Sequence, residues 1–222
     1  MKEAERRPEP ERVASAKARQ DEPARFYGER IPAQFNRALE RQQSLGGPGR
    51  RVYEAMCAVD ATIRVEVGEP GGGTFFLNVR GGHMTAEPRA AHPPFLTLIQ
   101  DRRAFDRLSS EAGDSALALL GGLSGIAGEL VLTRARVESL RAVDGLIRFE
   151  VTGDGGFVLG THFGAAPVPA EPRTRISVDA QTYRDLRSGA LDPQSAFMNQ
   201  QIRVEGDMQA AMQLALAAVA PD

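Results

Sequence analysis

The chain of 222 residues has little of several residue types on which particular protein classes depend. A single cysteine, Cys57, excludes an intramolecular disulfide and a zinc site built from several cysteines. Only three histidines leave little material for a histidine-rich metal centre, and tryptophan is absent. Because 27 Lys and Arg face 29 Asp and Glu, the net charge of −2 gives little long-range attraction for nucleic acid or an anionic membrane. These shortages exclude disulfide scaffolds, iron–sulfur proteins and strongly basic nucleic-acid binders.

No stretch of the sequence predicts a targeting signal or a membrane span. The N-terminal residues lack the apolar segment of a secretory signal, so we expect a cytoplasmic protein. The most apolar run, Ser115–Leu132, contains Glu129 and four glycines within 18 residues. A membrane-spanning helix needs about 20 consecutive apolar residues. This run therefore predicts a buried helix followed by a strand, and no transmembrane segment.

The first 47 residues divide into two parts of different composition. Residues 1–25 have mixed charge, several prolines and almost no large apolar side chain, which predicts a disordered tail. Residues 26–47 contain Phe35, Ala38 and Leu39 at helical spacing and end in Gly46-Gly47. This pattern predicts a short amphipathic helix that glycine terminates.

The rest of the chain contains an internal repeat. The segment AVDATIRVEV (58–67) recurs as AVDGLIRFEV (142–151), at an offset of 84 and with seven of ten positions identical. Ala-Glu-Pro-Arg and Gly-Gly recur in the same register, at 86–89 and 71–72. Three matching blocks at one offset indicate two related units. We place the first unit at residues 48–133 and the second unit at residues 134–222.

Each unit shows the same succession of predicted elements. A helical pattern leads into a strand, and a glycine-bearing turn follows, then a second strand (74–79 and 157–162), as in a β-hairpin. Asp101 and Asp179 are placed to cap a later helix. The second unit ends with a strand at 201–204 and a helix at 208–219 that Asp207 caps. Strands combined with helices gathered on one face predict the α+β class.

The second unit contains a stretch by which a family can be recognised. Residues 176–219 resemble the C-terminal half of the sterol carrier protein 2 (sterol-binding domain) family. The resemblance is carried by Val178-Asp179, Tyr183, Leu186, Ser188-Gly189, the segment 192–198 (DPQSAFM), the segment 202–208 (IRVEGDM), Ala211-Met212 and Leu214. The hairpin at 146–163 fits the family's early strands more loosely. Through the repeat, the first unit is a second copy that lacks the Pro-Gln-Ser-Ala-Phe element and is therefore degenerate.

This resemblance implies a fold and an activity. Each unit is expected to form a twisted sheet of about five strands with helices on one face. In the second unit these elements are expected to enclose an apolar tunnel for a sterol, fatty acid, acyl-CoA or similar apolar ligand, bound without catalysis. The tunnel candidates are Phe149, Val151, Ile176, Val178, Tyr183, Leu186, Phe197, Met198, Ile202, Met208, Ala211, Met212 and Ala215.

Two readings of these candidates stay open from the sequence. Met208, Ala211, Met212 and Ala215 form a stripe on the last helix that must cover apolar surface. They are either part of a filled core, or the loosely packed wall of a ligand site, for which methionine is well suited because its side chain adapts to varied ligands. With filled cores the protein would be an interaction or accessory scaffold, and a protein partner or a homodimer stays open.

No motif indicates catalysis, a cofactor or a bound metal. The histidines His83, His92 and His162 have no ligand spacing, and we expect surface or turn positions for them. Ser195 lacks the surroundings of a nucleophile and suits a helix start together with Asp192. Cys57 is expected to be a buried thiol. We therefore expect a protein that is not an enzyme.

Overall fold

A computed structural model describes residues 22–69, 71–111 and 131–219 of the chain. The helices are α1 (Glu22–Arg25), a π-helical turn (Phe26–Arg30), α2 (Ile31–Ser44), α3 (Gly47–Cys57), α4 (Arg102–Glu111), α5 (Arg134–Arg141), α6 (Ala180–Ser188), α7 (Pro193–Met198) and α8 (Met208–Val219). The strands are β1 (Ala61–Val67), β2 (Gly73–Arg80), β3 (His83–Glu87), β4 (Leu96–Gln100), β5 (Gly145–Thr152), β6 (Phe157–Phe163), β7 (Thr174–Asp179) and β8 (Ile202–Gly206). The class is α+β, as predicted.

All eight strands form one continuous sheet in the order β3-β2-β1-β4-β6-β5-β7-β8. The family resemblance implies about five strands in each unit, whereas each unit contributes four described strands to this shared sheet. The units join where β4 pairs antiparallel with β6, from Leu96 opposite Phe163 to Gln100 opposite Leu159. This junction removes one free edge from each unit, which protects both from unwanted strand pairing.

The two units have the same strand arrangement within this sheet. In the first unit β1 pairs antiparallel with β2 and parallel with β4. In the second unit β5 pairs antiparallel with β6 and parallel with β7. The segments that repeat in the sequence thus become β1 and β5, the central strand of each three-stranded core. This correspondence supports the repeat that the sequence predicts.

Alternation along the strands gives the sheet one apolar and one polar face. The apolar face carries Ile63, Val65, Leu98, Ile147 and Val178, all of them buried. We call it the helical face, because side chains of α2, α3, α4, α5 and α8 pack into the same core as this face. The opposite, polar face carries charged side chains, among them Arg64, Glu66, Arg148, Glu150 and Arg175.

The N-terminal helical segment (residues 22–44) is part of the core of the first unit. Phe26, Tyr27, Ile31 and Phe35 are buried on it, and Tyr27 donates a hydrogen bond to Gln100 Oε1 at 2.7 Å. The predicted helix at 26–47 is present but begins earlier. Residues 22–25, which were assigned to the disordered tail, are helical, because burial of Phe26 and Tyr27 fixes the turn that precedes them.

Some predictions fall outside the part of the chain that the structure describes. Residues 1–21 of the predicted tail do so, as does almost all of the predicted helix and strand at Ser115–Leu132. Leu132 itself is buried in the core that the helices share with the helical face, which we call the larger core. Within the described residues, no helix is long and apolar enough to cross a membrane.

Candidate functional site

A separate apolar cluster lies on the helical face of the second unit. Its buried members are Ala104, Val151, Phe157 and Val178, and its partly buried members are Phe149, Ala180, Tyr183, Leu186 and Ile202. We call these nine residues the unit-two cluster. Six of the thirteen predicted tunnel residues belong to it: Phe149, Val151, Val178, Tyr183, Leu186 and Ile202.

Strand register explains why distant strand residues meet in this cluster. Val151 lies opposite Val178 in the parallel pair of β5 and β7, and Val178 lies opposite Ile202 in the antiparallel pair of β7 and β8. Residues that are opposite each other in a sheet point to the same face. Ile176, another predicted residue, lies opposite Phe149 on this face, but it packs against the larger core.

Helix α6 covers the cluster because Asp179 fixes its first turn. The Asp179 carboxylate accepts hydrogen bonds at 2.8 Å from the backbone N–H groups of Gln181 and Thr182. The bonds from Thr182 hold the pKa of Asp179 below its usual value. This start places Tyr183 beside Phe149 and Phe157, with ring centroids 6.3 and 5.3 Å away. The helix ends at Gly189, whose φ of 74° is the left-handed cap that glycine adopts without strain.

The cluster is less completely covered than the equivalent surface of the first unit. Phe149 and Tyr183 are only partly buried. Their counterparts at the repeat offsets, Val65 and Phe105, are 0% and 1% exposed. In the first unit the N-terminal helical segment provides the missing cover, because Phe26 packs edge-on against Phe105 at 5.5 Å. At these two positions the second unit thus keeps accessible apolar surface where the first unit is fully buried.

The predicted residues of α7 and α8 lie apart from the cluster. Phe197, Met198, Met208 and Met212 are 44%, 72%, 41% and 59% exposed. Ala211 is half-buried, and the structure does not describe the side chain of Ala215. The inward side of α8 is formed instead by Ala210 and Leu214, which pack into the larger core. The predicted stripe differs from this face because ten of the twelve residues of α8 are apolar, so that its pattern does not mark one side.

Three cluster residues, Phe157, Ala104 and Ala180, are not among the thirteen predicted ones, and Ala180 directly follows the cap residue Asp179 at the start of α6. Phe157 completes the aromatic group, and its position opposite Val151 in the hairpin was a usable signal. Ala104 comes from α4 of the first unit, and no local pattern indicates this contact, because it arises only from the junction of β4 and β6.

Two cavities of the described structure lie elsewhere. One, of about 670 Å³, lies between the N-terminal helical segment and α4 and includes Arg25, Glu29 and Ser110. The other, of about 300 Å³, lies on the polar face at the junction of the units and includes Ile99, Leu146 and Gly160. Neither is lined by any of the thirteen predicted tunnel residues.

Other residues that the sequence singled out lie outside the unit-two cluster. Asp192 caps α7 by accepting the N–H of Ser195 at 2.8 Å, as predicted. Cys57 is half-buried, whereas the sequence predicts a buried thiol. His162 departs from its predicted surface or turn position, because it is buried within β6, with Nε2 2.9 Å from the carbonyl oxygen of Ala166. Among the described residues, no three His, Cys, Asp or Glu side chains are grouped as metal ligands.

Part of the chain matches a known protein family. Residues 129–218 match the family described as the SCP-2 sterol transfer family, a stretch shorter than half of the chain. No curated protein matches the chain significantly.

Among solved structures, the chain is similar to sterol carrier protein 2 like 2 from Aedes aegypti, with 18% identity over 36% of this chain and 91% of that chain, and a TM-score of 0.27. It is similar to apo sterol carrier protein 2 from Yarrowia lipolytica, with 15% identity over 40% and 79% of the two chains, and a TM-score of 0.29. A third is the sterol carrier protein domain 2 of Helicoverpa armigera, with 20% identity over 54% and 91%, and a TM-score of 0.29. The C-terminal part of this chain (residues 129–218) is thus similar to the SCP-2 sterol transfer family.

Proposed function

We propose that the second unit binds an apolar or amphipathic lipid without covalent chemistry, at the unit-two cluster. Sterols, fatty acids and acyl-CoAs are the ligand classes that the family suggests. The observation that carries the proposal is the incomplete burial of Phe149, Tyr183, Leu186 and Ile202 on the helical face. A filled core would cover these apolar side chains completely. Here they remain accessible, in a segment of the chain that matches a lipid-transfer family.

The energetics of such a site come from burial. Each methylene of a ligand chain that leaves water contributes about 0.8 kcal/mol. A chain lying along Phe149 and Tyr183 would also complete the burial of both rings. Catalytic residues have no part in this proposal, because contact with the apolar surface supplies the affinity.

The first unit has a different role in this proposal. Phe26 and Tyr27 pack on its helical face, where Tyr27 contacts Phe75 and Phe105 at 5.4 and 6.0 Å. The place that a ligand takes in the second unit is thus filled by the chain itself. We infer that the first unit is a degenerate copy that supports the second through the shared sheet.

A scaffold without ligand is the alternative function. It is favoured by one observation, namely that neither of the two described cavities reaches the unit-two cluster. In that case the partly buried side chains would be ordinary core periphery, and binding of a partner protein would be the activity. The two functions predict different results with a lipid probe.

The test is a titration of the delipidated full chain with a fluorescent fatty acid, with a sterol as competitor. Leu186→Gln places an amide in the cluster and is expected to weaken binding about tenfold, because burial of a leucine side chain is worth roughly 1.5–3 kcal/mol. Leu191→Gln is the matched control, since Leu191 is half-buried but lies outside the cluster. No saturable binding by the wild type, or equal weakening by both variants, would favour the scaffold.

A further inference from the structure

The sheet has two outer strands, and within the described residues a side chain bonds along only one of them. β3 is the edge of the first unit, and α2 lies beside it. The side chain of Asn36 donates to the carbonyl of Met84 and accepts from the N–H of Met84, both at 2.9 Å. One side chain thus makes with β3 the two bonds that a further strand would make there, and it blocks pairing at this edge.

β8 is the opposite edge, and no side chain in the described part of the chain bonds to it as Asn36 bonds to β3. It is the last strand of the sheet, and among the described residues no strand lies beyond it. An edge strand presents a row of backbone N–H and C=O groups to whatever lies outside. Arg203, Glu205 and Gly206 are exposed, and Ile202 and Val204 are half-buried.

The sequence of β8 is complementary to itself in one antiparallel register. When two copies pair about Val204, each Arg203 lies opposite Glu205 of the other copy, on the same face of the sheet. Pairing about Arg203 or about Glu205 instead places like charges directly opposite each other. Because like charges in that position are destabilising and opposite charges are favourable, the charges favour the register centred on Val204 over these two.

The same kind of charge pair already exists on this face within the chain. Arg175 of β7 lies opposite Glu205 of β8, with Nη1 3.4 Å from Oε2. Pairing of two β8 strands would continue this row, so that Glu205 lies between Arg175 of its own chain and Arg203 of the other copy. On the helical face the register places Val204 opposite Val204 of the second copy.

Exposed apolar side chains flank the strand in sequence. Phe197 and Met198 end the helix before β8, and Met208 begins the helix after it. Large exposed apolar side chains are typical of an interaction surface.

We propose that the β8 edge is a self-association surface, where two copies of this chain join their sheets in antiparallel fashion, centred on Val204. The result is one sixteen-stranded sheet with a two-fold axis beside Val204. A two-fold interface fits because the same patch serves both copies. The proposal is independent of lipid binding, since it rests on the edge, the register and the charges.

The test uses complementary charge reversals and sedimentation of the full-length chain. Arg203→Glu places Glu opposite Glu205 twice, and Glu205→Arg places Arg opposite Arg203 twice. Each variant alone is expected to weaken the dimer at least ~10-fold. An equimolar mixture restores both Arg–Glu pairs and is expected to form a heterodimer. Arg134→Glu, on the exposed face of α5, is the matched control and is expected to leave the wild-type dimer unchanged.

A second measurement does not depend on charge reversal. In a Cys57→Ser background, Val204→Cys is expected to form a disulfide-linked dimer on mild oxidation, and Val158→Cys, on an interior strand, is not. A monomeric wild type overturns the proposal. A dimer that survives both charge reversals, or reversals that do not complement each other in correctly folded protein, overturns this edge as the interface.

Discussion

At the scale of the residue, single carboxylates determine where the helices begin. Asp101 accepts the N–H of Ala104 at 2.6 Å, and Asp207 accepts the N–H groups of Gln209 and Ala210. With Asp179 and Asp192 they form a set of four caps, each predicted from its position before a helical pattern. Local hydrogen bonding decides a cap, so a short stretch of sequence suffices to find it.

Removal of the cap of α6 is expected to weaken the fold and to loosen the cover of the unit-two cluster. Asp179→Ala should lower the free energy of unfolding by about 1 kcal/mol, because two backbone N–H groups lose their acceptor. Denaturant unfolding measures the change. Asp154→Ala, in an exposed turn, is the control and should leave the midpoint in place; equal effects of both variants would contradict the capping role.

The same cap makes stability depend on pH in a defined direction. The folded state holds the pKa of Asp179 below 3.8, the usual value, through hydrogen bonds from Thr182. A depressed carboxyl pKa gives stability that is present above 3.8 and is lost as the pH falls toward the folded value. The difference between the wild type and Asp179→Ala is therefore expected to shrink below pH 3.8. A difference that stays constant through this range would contradict the assignment.

At the scale of the element, the strands were predictable and the burial of the helices was not. The repeated segments predicted β1 and β5, and the hairpin turns predicted β2 and β6. The inward face of α8 was not predictable, because Met208, Ala210 and Met212 are all apolar and only packing against α5 distinguishes them. The N-terminal helix was predicted from its pattern, but nothing local showed that it fills the first unit, because that contact spans distant parts of the chain.

The N-terminal helical segment is therefore expected to be essential for stability. Phe35 is fully buried in the larger core, and Phe35→Ala should cost about 3–5 kcal/mol, the usual effect of removing a buried phenylalanine. Thermal or denaturant unfolding tests this value. Arg37→Ala, on the exposed side of the same helix, serves as the control. A loss below about 1 kcal/mol would mean that the segment packs only loosely.

At the scale of the whole molecule, the repeat becomes one sheet with unequal halves. Sequence comparison within the chain predicted two units, but not the pairing of β4 with β6, because strand-to-strand junctions leave no local signature. This junction brings Ala104 of the first unit into the unit-two cluster. The two halves then differ in cover: the N-terminal segment buries Phe105 in the first half, whereas its counterpart Tyr183 in the second half stays partly accessible.

The most direct test of the central claim compares the two halves in one experiment. The chain has no tryptophan. Tyr183→Trp therefore places a single tryptophan in the second unit, and Phe75→Trp places a single tryptophan in the first unit. A brominated fatty acid quenches tryptophan only at close range. We expect saturable quenching for Tyr183→Trp and none for Phe75→Trp. Equal quenching in both units, or no quenching in either, would contradict a lipid site in the second unit.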